Sequence, residues 1–302
     1  MICAAEISGE TSAPADQAAA ALARCGVLGR RLGPSSWEIT LPSDQVCTGR
    51  VRIEDGMLRL DAPLVGPQWP LESLWGILPR NGWSGPGVRL GLSTAKRIVL
   101  IGEIVIEHVL DVDDRIGRLL ADMTALDRQQ KDEAADMAID ADAAIDPAAL
   151  CEEAGWEYTR RDDAVVVRLE ANRYGTGLQA AAIPFSAVIR IRSGILHCMA
   201  ELVRDDAPPP EPNAAAIAAL LLRVATQIRL VRPAAVVDGQ SLLVFESLLP
   251  SASAWELGQA LSAMSIAARL CGPETAALSR NADLAREFLR IRFPGFVGPA
   301  GS

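Results

Sequence analysis

Apolar residues recur along this chain with two periods, that of a helix and that of a strand, and the periods change over in the same order twice. In the first half, Ala15 to Cys25 is alanine-rich and closed by Gly26, which predicts a helix with a glycine stop. Trp37-Glu-Ile-Thr-Leu41 alternates apolar with polar, the signature of a half-buried strand. Val51 to Leu60 reads as a hairpin turning at Asp55-Gly56, and a short helix follows around Leu71 to Leu78. Strands within Val88 to Leu92 and Ile98 to Val109 come next. A helix from Asp113 to about Arg128 then closes the unit, with Ile116, Leu120, Met123 and Leu126 on one face.

The second half repeats the order. A helix from Asp146 to Glu153 stops at Gly155, and strands are expected at Ala164 to Glu170 and around Gln179 to Pro184. Val188 to Leu202 forms a hairpin with Ser193-Gly194 at its turn. Ala214 to Arg232 reads as one amphipathic helix, with Ile217, Leu221, Val224, Ile228 and Val231 inward and Arg223, Gln227 and Arg232 outward. Asn213 is placed to cap it and Pro233 to end it. Strands Ala234 to Val237 and Leu242 to Leu248 flank Asp238-Gly239. A closing helix, Ser251 to Leu270, is capped by Ser251 or Ser253 and stopped by Cys271-Gly272-Pro273. A further helix from Glu274 to Arg290 and the apolar tail Phe293-Pro-Gly-Phe-Val297 finish the chain.

The repetition extends to residues. Val51-Arg-Ile-Glu-Asp-Gly-Met-Leu-Arg-Leu60 aligns without gaps on Ile189-Arg-Ile-Arg-Ser-Gly-Ile-Leu-His-Cys198, with four of ten positions identical. Arg115-Ile-Gly-Arg-Leu-Leu-Ala-Asp-Met-Thr124 aligns on Glu256-Leu-Gly-Gln-Ala-Leu-Ser-Ala-Met-Ser265, where Gly, Leu and Met coincide. The offsets, 138 and 141 residues, are nearly collinear, as a diverged duplication requires. The fold class expected is therefore α+β, two tandem two-layer units of order α-β-β-β-α-β-β-α. The first unit spans residues 1–138 and the second 139–302. The division falls in Asp127 to Asp146, which carries seven acidic and two basic residues and reads as an exposed helix end or a charged linker. A proline-rich connector, Asp205 to Asn213, interrupts the second unit.

Composition narrows the function. At 302 residues and half apolar, the chain can bury a sizeable core without disulfides or metals. Its net charge of −9 repels phosphate backbones and argues against a nucleic-acid binder. Its longest apolar runs fall short of a bilayer span, and its first twenty residues make a poor signal peptide. Six scattered cysteines with no C-x-x-C pair fit reduced, mostly buried thiols and a cytoplasmic protein.

The element order, the stretch Leu220-Leu-Leu-Arg-Val-Ala-Thr-Gln-Ile-Arg-Leu-Val-Arg232, the Asp238-Gly239 hairpin and the strand Leu242 to Leu248 leading into the helix Trp255 to Leu270 resemble the type III secretion chaperone fold and the related YbjN-like domains of bacteria. The resemblance covers most of each half. It implies a small cytoplasmic protein that binds an extended segment of a client and catalyses nothing. Members of that group are single-unit homodimers, so two units in one chain imply either a monomer whose halves form an intramolecular pseudo-dimer or a homodimer. The acidic surface is expected to suit a basic or amphipathic client. The competing reading is a structural or regulatory scaffold component of a bacterial complex.

Candidate chemistry changes this little. The two histidines, His108 and His197, have no cysteine or second histidine at ligand spacing, and His197 aligns with Arg59 as a strand-surface position. Gly82-Trp-Ser-Gly-Pro-Gly87 lacks the lysine of a phosphate loop and reads as a turn. Asp111, Asp113 and Asp114 fit a helix N-terminus, and Arg160-Arg161 with Asp162-Asp163 a solvated turn. No catalytic, cofactor or metal residue is assigned. Trp37 and Trp156 are expected in the core or at an interface. The remaining aromatic cluster, Trp69, Trp75 and Trp83, either seals a loop-rich corner or lines a partner-binding groove, and Phe293 and Phe296 dock on the parent domain or on a partner.

Overall fold

Two tight turns organise the sheets. Asp55 and Gly56 sit at φ 52° and 69°, and Ser193 and Gly194 at 48° and 72°; two successive positive φ values match the twist of paired strands. The turns set Glu54 opposite Met57 and Arg192 opposite Ile195, so the aligned hairpins share one register. The structure, a computed structural model, describes residues 14–41, 47–64, 70, 73–106, 112–127, 145–169, 185–203, 209–235, 240–249 and 252–294.

In chain order the first half gives α1 (Pro14–Arg24), β1 (Leu28–Gly33), β2 (Ser36–Leu41), β3 (Cys47–Glu54), β4 (Met57–Pro63), a 3-10 turn (Trp75–Ile77), α2 (Leu78–Trp83), β5 (Val88–Leu92), β6 (Ile98–Val105) and α3 (Val112–Asp127). The second gives α4 (Pro147–Glu153), β7 (Tyr158–Arg161), β8 (Ala164–Leu169), β9 (Phe185–Arg192), β10 (Ile195–Val203), α5 (Asn213–Ala225), β11 (Arg232–Ala235), β12 (Ser241–Leu248), α6 (Ala254–Arg280) and α7 (Ala282–Arg292). The protein is α+β, with two six-stranded antiparallel sheets. Sheet A runs β1-β2-β3-β4-β6-β5 and sheet B β7-β8-β9-β10-β12-β11, one topology written twice.

Each sheet has a helix-covered inner face. Gly102 on β6 lets α3 approach so closely that a Cβ there would lie 2.4 Å from the Met123 sulfur. Gly272 on α6 does the same for Phe185, whose ring would meet a Cβ at 2.7 Å. The opposite faces meet across the halves: α5 packs on β5 and α2 on β11. Gly91 on β5 opens the first of these contacts, since a Cβ there would lie 2.7 Å from Thr226.

Several elements differ from the sequence expectation. Each half has an additional first strand, β1 or β7, absent from the expected order. Both are sheet edges and mostly exposed on both faces, so LGRRLG and YTRR carry no apolar alternation. Arg160 and Arg161 thus belong to a strand, and only Asp162-Asp163 form the turn. The helix expected to reach Arg232 ends at Ala225, and Arg232 and Pro233 open β11. Asn213 does not cap α5; its amide donates to the Leu278 and Ser279 carbonyls at the end of α6. Pro273 does not stop α6, which runs through it to Arg280. Asn281 then starts α7 by accepting from the Leu284 amide. Ser253 is the cap of α6, accepting from the Glu256 amide. The short helix of the first half lies later than expected, as the 3-10 turn and α2. The expected strand at 179–184, the Asp238-Gly239 turn and most of the acidic segment lie outside the described residues.

Candidate functional site

The seam between the halves gathers charge that the strand registers place twice. On sheet A, Arg59 of β4 stands opposite Glu103 of β6, and Arg89 of β5 stands opposite Ile101. On sheet B, His197 stands opposite Glu246 and Arg232 opposite Val244. In each half the arginine precedes the glutamate by fourteen residues, 89 to 103 and 232 to 246.

Arg89 and Glu103 are each only 1% exposed and meet at 3.0 Å. The guanidinium also crosses the seam, donating to the carbonyls of Ala225 at 2.9 Å and Ile228 at 2.7 Å. The Glu103 carboxylate in turn accepts from the Leu230 amide at 2.6 Å. Leu230 sits at φ 60°, a strained left-handed position for a branched residue, and the buried carboxylate holds its N–H there. The equivalent Arg232 pairs with Glu246 and donates back across the seam to the carbonyls of Asn81 and Gly85. Asn81 adds a donation to the Pro233 carbonyl at 2.9 Å. Each half therefore inserts an arginine against the C-terminal end of the other half's second helix and the chain just beyond it.

A third pair lies between these two. Arg115 on α3 and Glu256 on α6 are repeat partners at the 141-residue offset, and they meet each other at 3.8 Å. Residues that face their own equivalents mark a two-fold relation between the halves. Identical residues there would repel, whereas arginine against glutamate attracts. Ser247 also donates to Glu256 at 2.8 Å.

Beside this pair lies a cavity of about 50 Å³, lined among others by Glu103, Arg115, Arg118, Asp122, Glu246 and Glu256. That volume holds a few waters and is far below the roughly 300 Å³ of a small-molecule site. Among the described residues, no cluster of three or more His, Cys, Asp or Glu could hold a metal ion. The arrangement is suited to fastening two units together.

Burial pushes the Glu246 carboxyl up, but Arg232 and the hydrogen bond with His197 outweigh it and hold the group down at about 2. Glu256 goes the other way: burial raises it, and Arg115 and Ser247 only partly compensate. The folded value of Glu246 lies below its ordinary 4.5, so its contribution to stability is complete above that pH and lost as pH falls towards 2. Glu256 ionises less readily folded than unfolded, so acidification from neutral pH relieves its burial. Against Glu256→Gln, the wild-type chain should therefore gain stability as the pH falls from neutrality towards the ordinary carboxylate value of 4.5. Against Glu246→Gln, it should lose about 3 kcal/mol on descending from pH 4.5 to below 2. Urea denaturation across that range measures both differences.

The sequence-selected residues distribute unevenly. Trp75 is half-buried in the 3-10 turn and packs on the core; Trp83 is the last residue of α2. Phe293 is 6% exposed and packs on Phe288 at 5.8 Å, so this ring docks on its own chain. Lys96 on the β5–β6 turn donates to the adjacent Pro294 carbonyl. Trp69, Phe296 and His108 lie outside the described residues. Trp37 is buried, with Arg31 over its ring, and Trp156 packs on the core. His197, expected at a strand surface, lies on β10 with its side chain 23% exposed and bonded to Glu246 at 2.7 Å. Sequence reasoning missed Arg89, Glu103, Arg232 and Glu246. The repeated Arg-x13-Glu spacing was the available signal.

Of the cysteines whose surroundings are described, Cys25 is exposed and Cys151, Cys198 and Cys271 are buried. Burial pushes the Cys151 thiol up to about 11 and that of Cys271 to about 12, so neither is a ready nucleophile. A native titration with a thiol-reactive dye should label Cys25 and leave these three unmodified until denaturant is added, as read by peptide mass spectrometry.

No helix among the described residues is long and apolar enough to cross a membrane. No protein-family model and no curated protein matches the chain.

Proposed function

We propose that this chain is a non-enzymatic protein-binding module, in which two secretion-chaperone-like units form an intramolecular pseudo-dimer that holds an extended segment of a client protein in the bacterial cytoplasm. The observation that carries the reading is the reciprocal seam. Each unit lays its second helix on the other's sheet, where a buried arginine of that other unit anchors it. The complementary Arg115–Glu256 pair explains why the two units serve one chain: it favours a first unit meeting a second over two identical units meeting. Such a seam covers the β5 and β11 ends of the two sheets and leaves the opposite ends, at β1 and β7, outside it.

Size-exclusion chromatography with light scattering tests the association; a monomer is expected, and an obligate dimer built through one half would overturn the pseudo-dimer. Affinity capture with mass spectrometry, followed by co-expression, tests the function. A single client made soluble by co-expression is expected. Stoichiometric recovery of assembled machinery with no solubilised client would favour a scaffold instead.

A further inference from the structure

The two units share a topology, yet their open sheet faces have diverged. Trp37 stands opposite Val51 and Val165 opposite Ile189, and Val51 and Ile189 are repeat partners, so positions can be matched strand by strand. On sheet A the outward row across β2, β3 and β4 is Glu38, Arg50 and Asp61. The matching row on sheet B, across β8, β9 and β10, is Val166, Val188 and Met199. A charged row in one copy is thus an apolar row in the other, and all three of its residues remain partly exposed.

The charges beside the rows differ as well. On sheet A they neutralise one another: Arg52 and Arg59 both reach Asp61 at 3.0 Å, and Arg30 lies 3.7 Å from Glu38. On sheet B, Arg168 stands on one side of the apolar row and Arg190 and Arg192 on the other. Arg168 and Arg192 are exposed and engage no acid among the described residues, and Arg190 has only Asp163 at 3.8 Å. On that face Glu246 is engaged by Arg232 and His197, and Glu201 by a partner of its own.

We infer that the open face of sheet B, and not that of sheet A, receives the bound segment, and that this segment has an apolar centre flanked by aspartate or glutamate. The inference deepens the protein-binding reading and rests on it. Burial of the Val166–Val188–Met199 row supplies non-directional affinity, and Arg168 on one side with Arg192 on the other selects the sign of the flanks. The sign is opposite to the one expected from the net charge of −9, because the exposed Arg168 and Arg192 flank the apolar row.

The test uses the full chain and two fluorescein-labelled peptides with the same short leucine-valine centre, one flanked by aspartates and the other by lysines. Fluorescence anisotropy should show the aspartate peptide binding at least tenfold more tightly. Transplanting the row of the first unit, Val166→Glu with Val188→Arg and Met199→Asp, should weaken that binding at least tenfold. Arg168→Glu with Arg192→Glu, at exposed positions that leave folding intact, should reverse the preference between the peptides and decides the matter should the triple variant fail to fold. Equal binding of the two peptides, binding of neither, or an undiminished affinity in the charge-reversed variant would overturn the inference. A captured client that binds the transplanted and charge-reversed chains as tightly as the wild type would overturn this face alone and leave the protein-binding reading standing. Absence of any client would count against that reading itself.

Discussion

Glu103→Ala should destabilise the protein by about 3–5 kcal/mol, among the largest effects of any single substitution on the seam. The removed carboxylate leaves the Arg89 guanidinium 1% exposed with no opposite charge at contact distance. Guanidinium does not deprotonate in a folded protein, so the charge stays buried and its desolvation is uncompensated. The Leu230 amide also loses its acceptor at a strained φ. Glu103→Gln should be milder, since an amide oxygen can still accept from Arg89 and Leu230. The matching Glu246→Ala should also be milder, because Glu246 is 12% exposed and water can reach the Arg232 it abandons. Replacing both partners, Arg89→Met with Glu103→Leu, should recover only part of the loss. The carbonyls of Ala225 and Ile228 would then lack their donor, a deficit of about 1–3 kcal/mol each where water cannot enter. Equilibrium urea unfolding of the four variants checks the order. A single Glu103→Ala cost under 1 kcal/mol would refute the account of the buried pair.

The second large effect is expected at Leu221, where substitution by alanine should cost about 2–5 kcal/mol. Helix α5 is buried around nearly its whole circumference, with twelve of its thirteen residues buried, as a helix packed on every side must be. It touches β5 of sheet A while packing against α6, α7 and β11 of its own half. A cavity at Leu221 cannot close by moving the helix towards one neighbour without withdrawing it from the others, which places the loss towards the upper end. By contrast, Leu270→Ala on α6, 64% exposed, should change stability by no more than about 0.5 kcal/mol. Thermal unfolding of the two variants should separate them clearly; equal midpoints would show that α5 is not the packing centre of the seam.

Both effects concern residues that the chain pattern treats very differently. Leu221 was legible, because apolar residues at helical spacing mark Ile217, Leu221 and Val224 as inward. That the remaining alanines of α5 are buried too was not, since alanine is equally at home on an exposed helix. Arg89 and Glu103 were not legible singly. A charged residue within a strand pattern reads as a solvated face, and burial becomes visible only once α5 from the other half lies over β5. The same applies to Arg232, which a periodicity argument placed on the outside of a helix and the fold places inside a strand. The helix ends there because residues 226–230 turn back, and no glycine or proline precedes that turn to announce it.

What the sequence determined by itself was local and repeated: the Asp55-Gly56 and Ser193-Gly194 turns, the apolar alternation of the central strands, the glycine stops after α1 and α4, and through the two collinear alignments the existence of two related units. These are consequences of backbone freedom and side-chain period, which act within a few residues. Tertiary structure alone decided the rest. The edge strands β1 and β7 needed a neighbour to define them, because exposed on most positions they carry no pattern of their own. The continuation of α6 through Pro273 needed packing on its flanks to offset the lost hydrogen bond. The charges of the seam needed the other half of the chain, because whether an arginine is solvated or buried depends on what covers it, and the cover lies some 140 residues away.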